Sequence, residues 1–449
     1  MIYPPPGNIS RRAATLVVAC LLACTGPSMA WAQSCTDAGG NPITNSPCCD
    51  SSLPFAEPEI PHGTALTGVP GKFDLPFACE PRHGWTSEQS CKPAVALLPP
   101  LTSARQSRLF FWLPGLNNSP AMNEHILRMA AFAGYPVLAI PWDNQEVVAS
   151  RCGTLDATGN PEFAGGICDP SYDCADIVRT EMRTGVDHPA SPADETSVLN
   201  GNPYVSGYEG KYWSGIERRA TRSLQKLHEG DHAAGWDAYC EPDDTHGSRL
   251  RWEDVVTAGF SMGAMQSQHT FYRHADLVPS GDASTGRLFA IEGAGDTCEI
   301  EMELINGTWI PDPATGQPAP FYYSDWQNQI FDVVSGGVRF AAQHADNPTV
   351  IATGHYHGTA STFEPMGFQL GPDPDYLHDY ETTPLPLTSE VLETRQVAQG
   401  NGYHGSMADD TMLPQDATSG SVVGNFGSTD TAHLFSGYVE GMCSLGDYY

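Results

Sequence analysis

Residues 253–266 read Glu253-Asp254-Val255-Val256-Thr257-Ala258-Gly259-Phe260-Ser261-Met262-Gly263-Ala264-Met265-Gln266. A β-branched run enters Gly-Phe-Ser-Met-Gly and a run of helix formers leaves it, so the pentapeptide sits at a strand-to-helix turn. On so sharp a turn a serine is pushed outward, with its hydroxyl clear of the sheet. A side chain at Gly259 or Gly263 would collide across the turn. The helix that starts beyond Ser261 aims its first N–H groups and the positive end of its dipole at developing negative charge. Ser261 is therefore the candidate nucleophile, and the Met262 N–H is half of a candidate oxyanion site. The bland alternative is a glycine-rich turn with an incidental serine, since the pentapeptide alone is common by chance.

Upstream, residues 93–99 and 107–113 read as strands, the second carrying Arg108-Leu109-Phe110-Phe111-Trp112-Leu113. It ends in Pro114-Gly115-Leu116-Asn117-Asn118-Ser119-Pro120, a strong turn signal. Ala121 to Gly134 has helical apolar spacing at Ile126, Met129, Ala130 and Phe132 and closes on glycine. Tyr135 to Ile140 is the next buried strand. Strand, loop, helix, strand at this spacing is a βαβ unit and implies a parallel sheet. Residues 145–210 break the rhythm and show no clear strand. They read as an insertion on the C-terminal side of the sheet, extending with a loop around Trp236 and Cys240 to about residue 250. Within it Tyr212 to His228 reads as a helix with Arg218, Arg219 and Arg222 available for solvent. Downstream the pattern predicts a helix to about His274, a strand Arg287 to Glu292, a helix within 320–343 and a strand Asn347 to Thr353. Residues 388–397 and 431–442 look helical or mixed.

A serine hydroxyl needs a base within hydrogen-bond reach. His269 and His274 lie along the helix that leaves the turn and point elsewhere. His404 is the preferred base, in the loop Gln399-Gly400-Asn401-Gly402-Tyr403-His404-Gly405-Ser406, with His357 second and His433 third. On α/β-hydrolase folds, which the serine turn resembles, the chain order is nucleophile, acid, base, so the acid is expected between Ser261 and the histidine. Asp296, in Glu292-Gly293-Ala294-Gly295-Asp296, follows the strand after the turn, and Glu364 is the reserve. Ser361 stands where a later aspartate is commonly found. A turn or N-cap role explains Asp296 nearly as well. The second oxyanion donor belongs to the loop after Pro114, at Leu116 or Asn117. Trp112, Trp142, Tyr204, Tyr208, Trp213 and Met262 are pocket candidates, although aromatics near strand ends are more often core. Pro372-Asp373-Pro374-Asp375 lacks a calcium-loop pattern and reads as a solvated loop.

The chain has 449 residues and a formal net charge of −31. That balance argues against nucleic acid and anionic lipid partners, which need basic patches. Arg11-Arg12 followed by the short apolar run Ala13 to Cys24 reads as a signal peptide over residues 1–32, with Ala30-Trp31-Ala32 as the cleavage site. Leu21-Leu22-Ala23-Cys24 offers a competing lipoprotein site, so membrane attachment is expected only through lipidated Cys24. No later stretch is long and apolar enough to span a bilayer. Of thirteen cysteines, eleven lie beyond residue 32. In an exported chain most of them pair, and an odd number leaves at least one free or intermolecular. Local bridges are expected within Cys35–Cys91 and within Cys152–Cys240. The spacings do not read as metal pairs, and no cofactor is implied. Residues 33–92 form a Cys-, Pro- and Gly-rich N-terminal region, and residues 93–449 form one decorated domain.

The order strand, Pro-Gly loop, helix, strand, insertion, helix, strand, Gly-Phe-Ser-Met-Gly, helix resembles an α/β-hydrolase over roughly residues 93–443. More narrowly it resembles a family of exported bacterial α/β-hydrolases. The shared pieces are Phe111-Trp112-Leu113-Pro114-Gly115, Ala131-Phe132-Ala133-Gly134-Tyr135, Cys168 to Cys174 leading to Arg179-Thr180-Glu181, the serine turn, Gly293 to Asp296, Tyr403-His404-Gly405 and Cys443. Polyhydroxyalkanoate depolymerases and feruloyl esterases carry a similar turn. The resemblance implies a mostly parallel central sheet flanked by helices, with a disulfide-rich insertion or cap. It also implies a Ser261, His404, Asp296 triad acting on small or polymeric esters without a cofactor. An amidase or peptidase using the same groups is one rival reading. A non-catalytic binding protein on this scaffold is another, because a fold does not fix a chemistry.

Overall fold

The computed structural model describes residues 40–49, 92–142, 174–185, 215–243, 247–293, 337–344 and 433–446. It also describes residues 36, 53, 56, 58–59, 144, 148, 154–155, 161–162, 378–379, 391–394 and 408. In chain order the elements are β1 (Val95–Leu97), β2 (Leu109–Leu113), α1 (Glu124–Phe132), β3 (Val137–Ala139), α2 (Cys174–Thr184) and α3 (Ile216–Gly230). Then follow β4 (Cys240–Asp243), β5 (Gly247–Leu250), β6 (Val255–Phe260), α4 (Met262–Tyr272), β7 (Arg287–Ile291) and β8 (Val338–His344). The last are β9 (His378–Asp379), β10 (Val391–Thr394) and α5 (His433–Ser444).

Eight strands form one sheet in the order β1-β3-β2-β6-β7-β8-β10-β9. Only the β1–β3 pair is antiparallel. The chain builds outward from β2 in both directions, so β2 is an interior strand and β6 and β7 are the central pair. A strand covered on both faces must be apolar at every position. Leu109-Phe110-Phe111-Trp112-Leu113 meets that demand and is buried throughout. Its alternation divides two cores. Leu109, Phe111 and Leu113 pack with α2 and α3 residues such as Val178 and Leu224. Phe110 and Trp112 pack with α1 and α5 residues such as Leu127 and Tyr438. The result is helix, sheet, helix, the layering of an open parallel sheet.

Several expectations need correction. Residues 338–343, assigned to a helix, form β8, because Val338 to Ala342 pair in parallel register with Arg287 to Ile291. Residues 391–394 are likewise a strand, paired with β8. The supposed loop around Cys240 contains the antiparallel hairpin β4–β5. Residues 174–184, inside the segment read as irregular, are the helix α2. On α3 one of the three arginines is not solvent-facing: Arg219 is 1% exposed and donates to the Pro141 carbonyl at 3.2 Å, while Arg218 and Arg222 keep part of their surface in solvent. The strand predicted at 347–353 lies outside the described residues.

Two cysteines, Cys48 and Cys240, also depart from the expected local pairing. Cys48 bonds Cys443, 395 residues away, and so staples the N-terminal segment to α5. Sequence proximity cannot reveal such a bridge, because the two ends meet only once the sheet is assembled. Cys240 is a free thiol, so it belongs to no bridge within 152–240. Burial, helped by the charge of Asp237, pushes its pKa up to about 12, which keeps it a neutral, unreactive thiol.

Candidate active site at the turn after β6

β6 is buried at all six positions and ends at Phe260. The backbone then reverses through Ser261 at φ 53°, ψ −121°, and α4 starts at Met262. A β-carbon added to Gly259 would lie 2.4 Å from the Gly263 carbonyl. One added to Gly263 would lie 2.0 Å from the Leu113 oxygen and 2.6 Å from the Pro114 oxygen. Both glycines are therefore required by backbone atoms that have nowhere to go. The Ser261 N–H donates to the Ile291 carbonyl at 2.8 Å, extending the β6–β7 ladder to the serine itself. The Ser261 carbonyl accepts from Met265 N at 3.0 Å and starts the helix.

The loop after β2 arches over this turn. At Gly115 a β-carbon would lie 2.7 Å from Phe260 Cδ1 and 3.0 Å from Ser261 Cβ, so only glycine fits above the serine. Two buried side chains that the sequence did not single out for this task pin the loop. Trp142 donates its indole N–H to the Pro114 carbonyl at 3.0 Å. Asn144 donates to the carbonyls of Gly115 and Asn118, the second at 2.8 Å. Asn144 also accepts the Asn117 N–H at its own carbonyl, at 2.9 Å. Of the two loop donors considered, Asn117 is thus committed to Asn144. The Leu116 N–H has no partner among the described residues, and its side chain is 37% exposed. Trp112 and Trp142 are fully buried core residues rather than pocket lining. Met262 is also buried. Tyr204, Tyr208 and Trp213 lie outside the described residues.

Three non-glycine residues have positive φ among the described residues: Asn117 at 55°, Ser261 at 53° and Glu292 at 55°. They follow β2, β6 and β7, which are neighbours in the sheet, and all sit at its C-terminal edge. Each such conformation costs on the order of 1–3 kcal/mol and persists where surrounding structure enforces it. Glu292 is 8% exposed, and its N–H donates to the Ala342 carbonyl at 2.8 Å. Burial, together with the negative charge of Glu292, pushes the Tyr438 hydroxyl well above its ordinary pKa. Gly293 follows, and a β-carbon there would meet Ala264 Cβ at 2.3 Å.

Behind the turn, α4 is clamped to α2. The Asp176 carboxylate accepts from His269 Nε2 at 2.7 Å and pairs with the Arg273 guanidinium. Gln266 donates to the Arg179 carbonyl at 3.1 Å. Burial pushes the Asp176 carboxyl up, but the hydrogen bond from His269 and the charges of His269 and Arg273 outweigh it and hold the pKa at about 2. Burial pulls His269 down to about 4 despite Asp176. At neutral pH the pair is a carboxylate accepting from a neutral imidazole. His274 bonds Thr285 Oγ1 at 2.7 Å. His269 is therefore engaged with α2 rather than with Ser261, and His274 lies past the end of α4, at the start of a separate short helix His274–Leu277.

Asp296, His404, His357 and Glu364 lie outside the described residues. His433 opens α5. Four residues beyond His404, Ala408 is buried in the α1/α5 layer, and its carbonyl accepts from Asn123 Nδ2 at 2.7 Å. Among the described residues no group of three or more His, Cys, Asp or Glu is placed to hold a metal. No described helix is long and apolar enough to cross a membrane.

A mostly parallel sheet with this strand order, helices on both faces and a serine at a strained strand-to-helix turn fits the α/β-hydrolase fold. No protein-family model matches the chain, and none of the curated proteins matches it. Among solved structures the chain is similar to TT1662 from Thermus thermophilus, at 14% identity over 68% of this chain and 84% of that one, TM-score 0.27. It is similar also to a feruloyl esterase module from Clostridium thermocellum, at 12% identity over 80% and 95%, TM-score 0.27. A glucuronoyl esterase from Solibacter usitatus matches at 12% identity over 67% and 71%, TM-score 0.29. At these TM-scores the likenesses add no weight; the strand order and the turn carry the fold.

Proposed function

We propose that the protein is an exported serine hydrolase that cleaves carboxylic esters through an acyl-enzyme. The observation that carries the reading is Ser261 at φ 53° between two glycines whose β-carbons have no room. That turn holds the hydroxyl at the C-terminal edge of the sheet and places the first N–H groups of α4 beside it. Ser261 attacks the ester carbonyl, and the oxygen that becomes negative is met by the N–H groups of Met262 and Leu116. His404, the base nominated by sequence, takes the serine proton and returns it to the leaving alcohol. The carboxylate behind the imidazole comes from the segment after β7, Asp296 in the sequence reading. Water then attacks the acyl-enzyme with the same base in reverse. The Cys48–Cys443 bridge supports an oxidising compartment and therefore export, with acylation at Cys24 as the route to membrane attachment. The test is labelling with a fluorophosphonate and mapping by peptide mass spectrometry. The adduct is expected on the Ser261 peptide and is expected to vanish in His404→Ala; a folded, disulfide-intact sample that takes no label would remove the enzymatic reading.

A further inference from the structure

Three residues that the serine-hydrolase reading does not use meet where α3 ends: His228, His232 and Asp237. His228 lies in the last turn of α3, and a break at Asp231 (φ −147°, ψ 88°) starts a 3₁₀ turn, His232–Ala234. A second 3₁₀ turn, Trp236–Tyr239, carries Asp237. Each piece has a firm base. The Asp231 carboxylate accepts the Ala233 N–H at 3.1 Å and caps the first turn, while Leu227, Ala234, Trp236 and Tyr239 are buried in the α2/α3 core. The three polar residues stay at the surface, His228 half-buried, His232 and Asp237 exposed.

The two imidazoles sit close together. His232 Nδ1 is 2.9 Å from His228 Nε2, the ring centres are 4.4 Å apart and the planes cross at 80°. That nitrogen separation suits a hydrogen bond, but a straight one, with both nitrogen axes in line, would hold the ring centres about 5.2 Å apart. Two imidazoles bound to one ion at about 2.05 Å and at a right angle have nitrogens about 2.9 Å and ring centres about 4.5 Å apart. Both observed separations fit the second arrangement. A tetrahedral ion at the same bond length would need nitrogens about 3.3 Å apart.

The surroundings favour a cation. Asp237 Oδ1 lies 3.1 Å from His228 Nδ1, at ion-pair distance but out of line for a hydrogen bond. A carboxylate so near draws the ring proton to Nδ1 and leaves Nε2 bare, the state in which a histidine binds a metal. The C-terminal end of α3 adds the negative pole of its dipole, and the whole chain carries a net charge of −31. Two histidines four residues apart make a chelate rather than a closed protein site, so water completes the coordination.

We propose that His228 Nε2 and His232 Nδ1 chelate a divalent transition metal of right-angled geometry, copper(II) above all, with Asp237 orienting His228 from behind. Among first-row divalent ions copper binds nitrogen sites most tightly and takes that geometry. The proposal is independent of the hydrolase reading.

The experiment titrates the metal-free mature chain, disulfide intact, with copper(II) chloride against glycine as competitor, followed by calorimetry and electron paramagnetic resonance. Wild type, His228→Ala, His232→Ala and Asp237→Asn are compared. The expected wild-type result is one copper per chain at this site, with coupling to two imidazole nitrogens. Either histidine variant is expected to bind at least about tenfold more weakly and to lose one nitrogen from the spectrum. Asp237→Asn is expected to weaken binding by about 10–100-fold while keeping both nitrogens. His232 is exposed, so His232→Ala without metal is expected to melt within a few degrees of wild type and serves if His228→Ala does not fold. Unchanged affinity and spectrum in His232→Ala would place the copper elsewhere and overturn the proposal. Wild type that cannot take copper from glycine would overturn it too, leaving the pair as a hydrogen-bonded end to α3. Unchanged affinity in Asp237→Asn would overturn the role given to that carboxylate.

Discussion

Gly263→Ala sets two physical arguments against each other. Gly263 is the second residue of α4, and helix propensity alone favours alanine over glycine there by about 1 kcal/mol. The tertiary structure reverses the sign. The new methyl would stand 2.0 Å from the Leu113 oxygen, 2.6 Å from the Leu113 carbonyl carbon and 2.6 Å from the Pro114 oxygen. Comfortable contact needs about 3.5 Å or more, so the worst overlap is about 1.5 Å. All three atoms are backbone, and no side chain can rotate away. Leu113 ends β2 in register with Gly259, and the Pro114 carbonyl is held by the Trp142 indole. Relief therefore requires α4 to move off the sheet. Overpacking commonly costs about 1–3 kcal/mol, and rigid surroundings place this case at the upper end or beyond, after subtracting the propensity gain. The expected net effect is a loss of about 2–3 kcal/mol with unchanged slope in urea unfolding of the disulfide-intact chain. Ser261 labelling is expected to fall with it, since the displaced helix start carries the Met262 N–H. A variant equal to or more stable than wild type, still labelled at the wild-type rate, would refute the packing of the turn described here.

Ser261→Gly is expected to raise stability by about 1 kcal/mol, because glycine occupies φ 53° without strain, while abolishing labelling; a destabilised variant would show that the serine side chain supports the fold. His269 has a folded pKa of about 4, below its ordinary 6.5, so the unfolded chain binds more protons between those values. Its contribution, up to about 3 kcal/mol, is complete above pH 6.5 and is lost as pH falls toward 4. Urea midpoints at pH 7 and 4.5 should therefore lie further apart in wild type than in His269→Gln, and parallel losses would contradict the buried neutral imidazole. Replacing Cys48 and Cys443 with alanine is expected to cost about 2–5 kcal/mol, read as a lower urea midpoint; an unchanged midpoint would mean that the bridge contributes nothing to the folded state.

The sequence by itself settled what depends on near neighbours in the chain. The Gly-Phe-Ser-Met-Gly turn, the apolar β2 and the helix leaving the turn are local patterns, and they appear where those patterns put them. That His269 is turned to another partner followed from helical spacing alone, whereas the helix stops at Tyr272, short of His274. The tertiary structure decided what depends on partners distant in sequence. Residues 338–344 became a strand because β7 offers a parallel ladder, which outweighs a helical reading of the same residues. Arg219, polar and seemingly solvent-bound, is buried because the Pro141 carbonyl lies across from it. Cys48 found Cys443 only through the closure of the whole domain. The sign of φ at Glu292 is written in no motif: a glutamate before a glycine reads as an ordinary strand end. It takes the pairing of β7 with β6 on one side and β8 on the other to set that residue next in register to Ser261. Local propensities are worth tenths of a kcal/mol per residue, whereas the contacts that override them are long-range and collective, and this is where reading along the chain stops.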